Sequence, residues 1–166
     1  IGTAPASLSN SGFLWATAYG FCVLTVERKL STCWGSFGSG FTATIQSKVV
    51  KSTHAAHAAH AILTEDSIMY AWGAGSSGGN SARAGIPNAV AVNGNRDGFA
   101  VLKTDGTIVT WYGNEQATVL SSFSGGAGIH DIYTIYNGFA AIDSAGMVRC
   151  WGPNTEMVSA CPTSTL

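Results

Sequence analysis

One feature limits what this chain can fold into more than any other. A hairpin-like segment returns four times, as Phe21–Gly35, His60–Gly73, Phe99–Gly113 and Phe139–Gly152. The first residues are spaced by 39, 39 and 40, and the tryptophans Trp34, Trp72, Trp111 and Trp151 by 38, 39 and 40. A period held this closely is the signature of a repeat architecture. A unit of about 40 residues made of short antiparallel strands cannot bury both faces alone, so it must stack on its neighbours.

The third copy, FAVLKTDGTIVTWYG, is the cleanest. Two β-branched and apolar runs flank Asp105-Gly106, and this dipeptide predicts a two-residue type I′ turn. That register sets Leu102 opposite Val109 and Ala100 opposite Trp111 on a buried side, and leaves a mixed side of Val101, Lys103, Ile108 and Thr110. A further strand is expected ahead of each hairpin, at Phe13–Tyr19, around Val49–Thr53, at Ala89–Asn93 and at Ile129–Tyr136. Thr42–Ile45 and Ala117–Leu120 are candidates for a fourth strand. Helical spacing is confined to His54–His60, which runs into the second hairpin.

Residues 1–166 therefore read as one all-β repeat domain of antiparallel units, and radial stacking of such units gives a β-propeller. Four copies fit a small four-bladed ring. An open array, or part of a larger propeller, fits the same period. In a closed ring Ile1–Ser11 and Pro153–Leu166 would seal the seam. The recurrent Phe21, Phe99 and Phe139 and the four tryptophans are expected to set the fold.

The order Phe-Ala-x-Leu, Asp-Gly, apolar–x–Trp and Gly-rich loop resembles the RCC1-like repeat in shortened form. Trp72-Gly73 followed by Gly78-Gly79 is similar to that family's Trp-Gly-x-x-x-x-Gly segment. The resemblance covers essentially the whole chain and implies a propeller used as a protein-interaction platform. The best-known member is a nucleotide-exchange factor for a small GTPase, and no motif here carries that activity over. The units are also shorter than the family's, and four stand where seven are usual.

Chemistry is sparse. Charged residues make up 10% of the chain and the net charge is −1, so no basic face exists for nucleic acid. No apolar run approaches the roughly 20 residues that cross a bilayer as a helix. Phe13–Leu24 is apolar enough for a signal-peptide core, but it lacks a basic segment ahead of it and its second half falls in the repeat. Gly73–Gly78 fits G-x-G-x-x-G and Gly75–Gly79 fits G-x-S-x-G, but neither is followed by the helix its chemistry requires. The carboxylates form no acid/base pair by spacing, and no catalytic residue or cofactor is expected.

His54, His57 and His60 are the one metal candidate: a helix would gather them on one face, and a strand would scatter them. His60 also takes the slot held elsewhere by Phe. Four cysteines, Cys22, Cys33, Cys150 and Cys161, in a Ser/Gly-rich chain favour an extracellular setting with disulfides over buried free thiols. No N-glycosylation sequon adds to that. The first hairpin is one residue longer than its siblings. A two-residue Glu27-Arg28 turn puts Cys22 opposite Cys33, and a swollen turn puts it opposite Trp34. Cys22–Cys33 with Cys150–Cys161 is the pairing favoured among three connectivities.

The expected role is a non-catalytic module that binds protein, copies of itself included, or builds an extracellular assembly. A sugar-binding propeller, using Trp15, Tyr19, Phe37, Phe41, Tyr112, Tyr133 and Tyr136 to stack glycans, is the alternative. A cytosolic regulator of a GTPase is the third reading.

Overall fold

The computed structural model describes residues 10–37, 40–80, 85–113, 118–120, 128–153 and 155–162. Fourteen strands among them form four antiparallel sheets, taken in chain order. The first holds β1 (Ser11–Ala16), β2 (Gly20–Thr25) and β3 (Leu30–Gly35). The second holds β4 (Val50–Ala55), β5 (Ala59–Thr64), β6 (Ile68–Gly73) and β7 (Ile86–Pro87). The third holds β8 (Ala89–Gly94), β9 (Gly98–Lys103), β10 (Ile108–Tyr112) and β11 (Thr118–Leu120). The fourth holds β12 (Ile129–Ile135), β13 (Gly138–Asp143) and β14 (Val148–Trp151). Each repeat is thus one sheet with its strands side by side in sequence order.

The hairpin turn differs from the expected type I′. In the third sheet the Gly106 N–H donates to Lys103 O at 3.0 Å and the Lys103 N–H to Thr107 O at 2.9 Å. The loop is therefore three residues, Thr104–Gly106, with Gly106 left-handed at φ 80°. Asp-Gly serves a type I turn closed by a left-handed glycine as well as it serves type I′. One extra loop residue shifts the register, so Leu102 pairs with Ile108, Ala100 with Thr110 and Phe99 with Trp111. Such a slip moves side chains to the other face. The division into a buried and a mixed side also fails, because every residue of Phe99–Leu102 and Ile108–Trp111 is buried. Each middle sheet is covered on both faces by its neighbours.

The same turn recurs with Arg28, Ser67 and Gly146 left-handed. In the first hairpin the extra residue does not swell the turn. It forms a bulge at Ser31, so that Val23 pairs with Thr32 and Leu24 with Leu30. The bulge restores Cys22 opposite Cys33 and Phe21 opposite Trp34. Consequently all four repeats carry the same cross-strand ring pair. Phe21–Trp34, His60–Trp72, Phe99–Trp111 and Phe139–Trp151 have centroids 5.7, 5.8, 5.8 and 5.7 Å apart.

Thr42–Ile45 is not a strand. It opens α1 (Ala43–Ser47), whose N-cap Thr42 accepts through its side chain from the Ile45 N–H. Of Ala117–Leu120, Ala117 lies outside the described residues and Thr118–Leu120 forms β11. The helical option at His54–His60 gives way to strand, turn and strand. A second short helix, α2 (Thr155–Ser159), follows the last sheet.

The core lies between sheets in three clusters. Trp15, Leu24 and Leu30 meet Ile62, Tyr70 and Trp72; Ala61, Leu63 and Met69 meet Phe99, Val101 and Trp111; Leu102 and Ile108 meet Ile132, Phe139 and Trp151. The turns joining the first and second strands are also tied in series. Ala18 N–H donates to His57 O at 3.0 Å, His57 N–H to Arg96 O at 3.2 Å, and Arg96 N–H to Tyr136 O at 3.2 Å. Among the described residues no core cluster and no backbone hydrogen bond joins the first sheet to the fourth. Most of the expected seam, Ile1–Ser9 and Thr163–Leu166 with Asn154, lies outside the described residues.

Candidate interaction surfaces

The series of backbone hydrogen bonds lines up four equivalent turns along one rim, and that rim carries exposed rings and a cation. Tyr19 projects from the first turn, edge-on to His57 of the second at 5.1 Å and to Phe37 at 6.0 Å. Farther along, the Arg96 guanidinium lies over the Tyr136 ring, 5.0 Å from its centroid. Tyr19, Phe37, His57, Arg96 and Tyr136 are all exposed. Tyr19, His57, Arg96 and Tyr136 stand on turns between two strands that backbone hydrogen bonds tie in series, and Phe37 follows β3, so less backbone freedom remains to be lost on binding.

The seven aromatics singled out from sequence separate cleanly. Trp15 is in the core, Phe41 packs against Trp72 and Tyr112 against Phe139. Tyr19, Phe37, Tyr133 and Tyr136 remain exposed. Arg96 was missed by sequence reasoning. Its signal is positional: it occupies the repeat slot of Ala18, His57 and Tyr136 at the tip of its turn.

The three histidines do not come together. His54, on β4, bonds Ser52 Oγ at 2.8 Å; His57 sits on the rim; His60, on β5, is fully buried between sheets. Burial lowers the His54 and His60 pKa values to about 4. Among the described residues no group of three or more His, Cys, Asp or Glu is placed to hold a metal ion.

The acidic residues serve the turns. Thr107 donates its hydroxyl and its amide to Asp105 Oδ1 and lowers the carboxyl pKa. Asp143 accepts from the Ala145 and Met147 N–H groups. The loop after Trp72 is likewise structural. Gly75–Ser77 makes one 3₁₀ turn, and Gly78 O accepts the Trp111 indole N–H at 2.9 Å. A β-carbon on Gly78 would meet that indole nitrogen at 2.8 Å, and Gly78 also holds φ +81°. The glycine is required by the approach of the next sheet.

Both cysteine pairs are bridged. Cys22–Cys33 crosses β2 and β3 with Cα atoms 4.1 Å apart, and Cys150–Cys161 ties the segment after α2 to β14 at 5.8 Å.

No protein-family model matches the chain, and neither does any curated protein. Solved structures do match. Prp20p of Saccharomyces cerevisiae, the yeast RCC1, superposes with TM-score 0.64 at 15% identity, over 84% of this chain and 43% of its own. The fold is that of RCC1-like β-propellers. Human WBSCR16 gives TM-score 0.60 at 12% identity, over 87% of this chain and 48% of its own. The CRINKLY WD40 ectodomain of the Arabidopsis thaliana receptor kinase ACR4 gives 0.57 at 17%, over 94% and 52%. This chain therefore spans about half the length of the RCC1-like propellers it matches. Its four sheets are blades of a partial or small propeller.

Proposed function

We propose that this chain is a non-catalytic interaction module that binds a protein partner along the rim bearing Phe37, Tyr19, His57, Arg96 and Tyr136. The rim itself carries the reading. Binding energy at protein interfaces concentrates in aromatic and Arg side chains, and here His57, Arg96 and Tyr136 stand at one repeat slot, with Tyr19 packed beside the first of them and Phe37 beside Tyr19. Solved RCC1-like structures supply precedent in kind, as yeast RCC1 has been crystallised bound to Kap60. Two disulfides favour an oxidising, extracellular setting, and the ACR4 structure is an ectodomain. The same disulfides weigh against a cytosolic GTPase regulator.

The test is retention of an extracellular protein on the immobilised chain, compared with the Tyr19→Ala/Tyr136→Ala double variant. Two hot-spot rings at about 1–2 kcal/mol each predict at least a tenfold loss, with thermal stability unchanged. Equal retention by both proteins contradicts the rim as the binding surface. A sugar-binding role draws on the exposed rings of Tyr19, Phe37, Tyr133 and Tyr136, since an aromatic face can stack on a pyranose ring. A glycan array with no signal above background removes it.

A further inference from the structure

The repeat makes the two end faces of the array legible. At the Phe slot on the face turned toward the preceding sheet, His60, Phe99 and Phe139 are each 0% exposed, whereas Phe21 is 44% exposed. Leu14 is also exposed there, while its counterparts Val92 and Ile132 are buried. At the slot on the face turned toward the following sheet, Leu24, Leu63 and Leu102 are 2–3% exposed, whereas Ile142 is 38% exposed. Tyr133 is exposed on that same last face. At the Phe21, Leu14 and Ile142 positions the side chain is thus buried where a neighbouring blade exists and uncovered at an end, while Val23 on the first face stays buried within its own sheet.

We infer that a second copy of this chain docks head to tail across these end faces, the first sheet of one copy seating on the fourth sheet of the other. Three internal interfaces define what covers such a face. In the last of them Leu102 and Ile108 receive Ile132, Phe139 and Trp151. Repeated once more, Ile142 and Val148 receive Leu14, Phe21 and Trp34 of the second copy. The series Ala18 to His57, His57 to Arg96, Arg96 to Tyr136 extends the same way, with the Tyr136 N–H donating to Ala18 O of the next chain. The short helices agree with this. α1 packs beside β3 and buries Ile45 in the first interface, and α2 with Cys161 lies beside β14 at the corresponding edge.

Size favours closure at two copies. This chain covers 43–52% of the Prp20p, WBSCR16 and ACR4 structures, so two copies reach the size of one such propeller. The interface is heterologous, and a heterologous contact closes into a ring when the rotation permits. The inference takes the chain as an interaction module, but it rests on the apolar end faces and meets the rim only through the main chain of Tyr136 and Ala18, which side-chain substitution leaves in place. Tyr19→Ala/Tyr136→Ala should leave the assembly intact, so either idea can fail without the other.

Sedimentation velocity of the oxidised full chain at 1–100 µM, judged against the 17.1 kDa chain mass, tests it. The expected species has twice that mass. Phe21→Arg on the head and Ile142→Arg on the tail should each give a monomer with a native melting transition, since both side chains are already partly exposed. An equimolar mixture of the two variants should recover the doubled mass, because one intact head then meets one intact tail. A monomer at every concentration overturns the inference. A dimer that both variants leave intact, or that mixing fails to restore, overturns the head-to-tail geometry.

Discussion

His60 stacks on Trp72 with ring centroids 5.8 Å apart and planes 21° from parallel, in the slot where the other three repeats place Phe. Trp15 closes the same site edge-on at 5.8 Å. Neither ring nitrogen of His60 finds a hydrogen-bond partner among the described residues. An imidazole has thus been put to use as a hydrophobic ring.

That substitution makes the fold acid-sensitive. With a folded pKa of about 4 against about 6.5 unfolded, His60 is neutral in both states above pH 6.5 and adds no pH dependence there. As pH falls from 6.5 to 4 the unfolded chain takes up a proton that the folded chain resists, and stability declines. The ceiling for this one group is about 3 kcal/mol. His54 acts in the same direction, and its partial exposure reduces its share. Urea midpoints of wild type should drop between pH 7 and pH 4.5, and His60→Phe should flatten most of the drop and raise stability at pH 7. An unchanged pH profile in His60→Phe would show that the site is not as described.

The indole of Trp111 is a clamp between blades. Trp111→Phe removes its bond to Gly78 O and leaves a buried carbonyl without its donor, at about 1–3 kcal/mol. Gly78→Ala should cost a comparable amount from the other side of the same contact, through both the clash and the left-handed backbone. Thermal melts of the two single variants and the double should be non-additive, since both break one interaction. Strict additivity would mean the two residues act independently.

Deletion of Ser31 tests the register. The bulge residue is the surplus one, so without it the first hairpin matches its siblings and Cys22 still opposes Cys33. Peptide mapping should find the Cys22–Cys33 bridge intact in the deletion variant. Loss of that bridge would place the extra residue elsewhere.

Burial separates the two disulfides in reactivity. Cys22 is wholly buried between sheets and its partner Cys33 is partly exposed, whereas Cys150 and Cys161 are both partly exposed. Graded reduction should open Cys150–Cys161 first. Cys22–Cys33, closing an 11-residue separation, should contribute about 3 kcal/mol in the chain-entropy description. Simultaneous reduction of both bridges without unfolding contradicts this order.

Much of this was readable from spacing alone, and the reasons are physical. The period exposed the four sheets, and the recurrent Phe and Trp slots became one ring pair repeated four times. Asp105-Gly106 announced a turn but not its length, because both turn types accept a left-handed glycine; the facing residues were therefore assigned to the wrong partners. Thr42–Ile45 looked like a strand because Thr and Ile favour β-structure, yet Thr42 also caps a one-turn helix. Tyr19, Phe37, Tyr136 and His57 stood out singly, but their gathering with Arg96 on one rim was not legible, because Tyr19 meets His57 and Arg96 meets Tyr136 only across blades.

The central claim is that these repeats are blades joined in series, and hydrogen-bond scalar couplings test it most directly. Nitrogen–carbonyl couplings should appear from Ala18 to His57, from His57 to Arg96 and from Arg96 to Tyr136, each linking turns in successive sheets. Detection of all three confirms side-by-side blades in the order given. Their absence, with the couplings inside each hairpin still present, would leave four hairpins without the propeller.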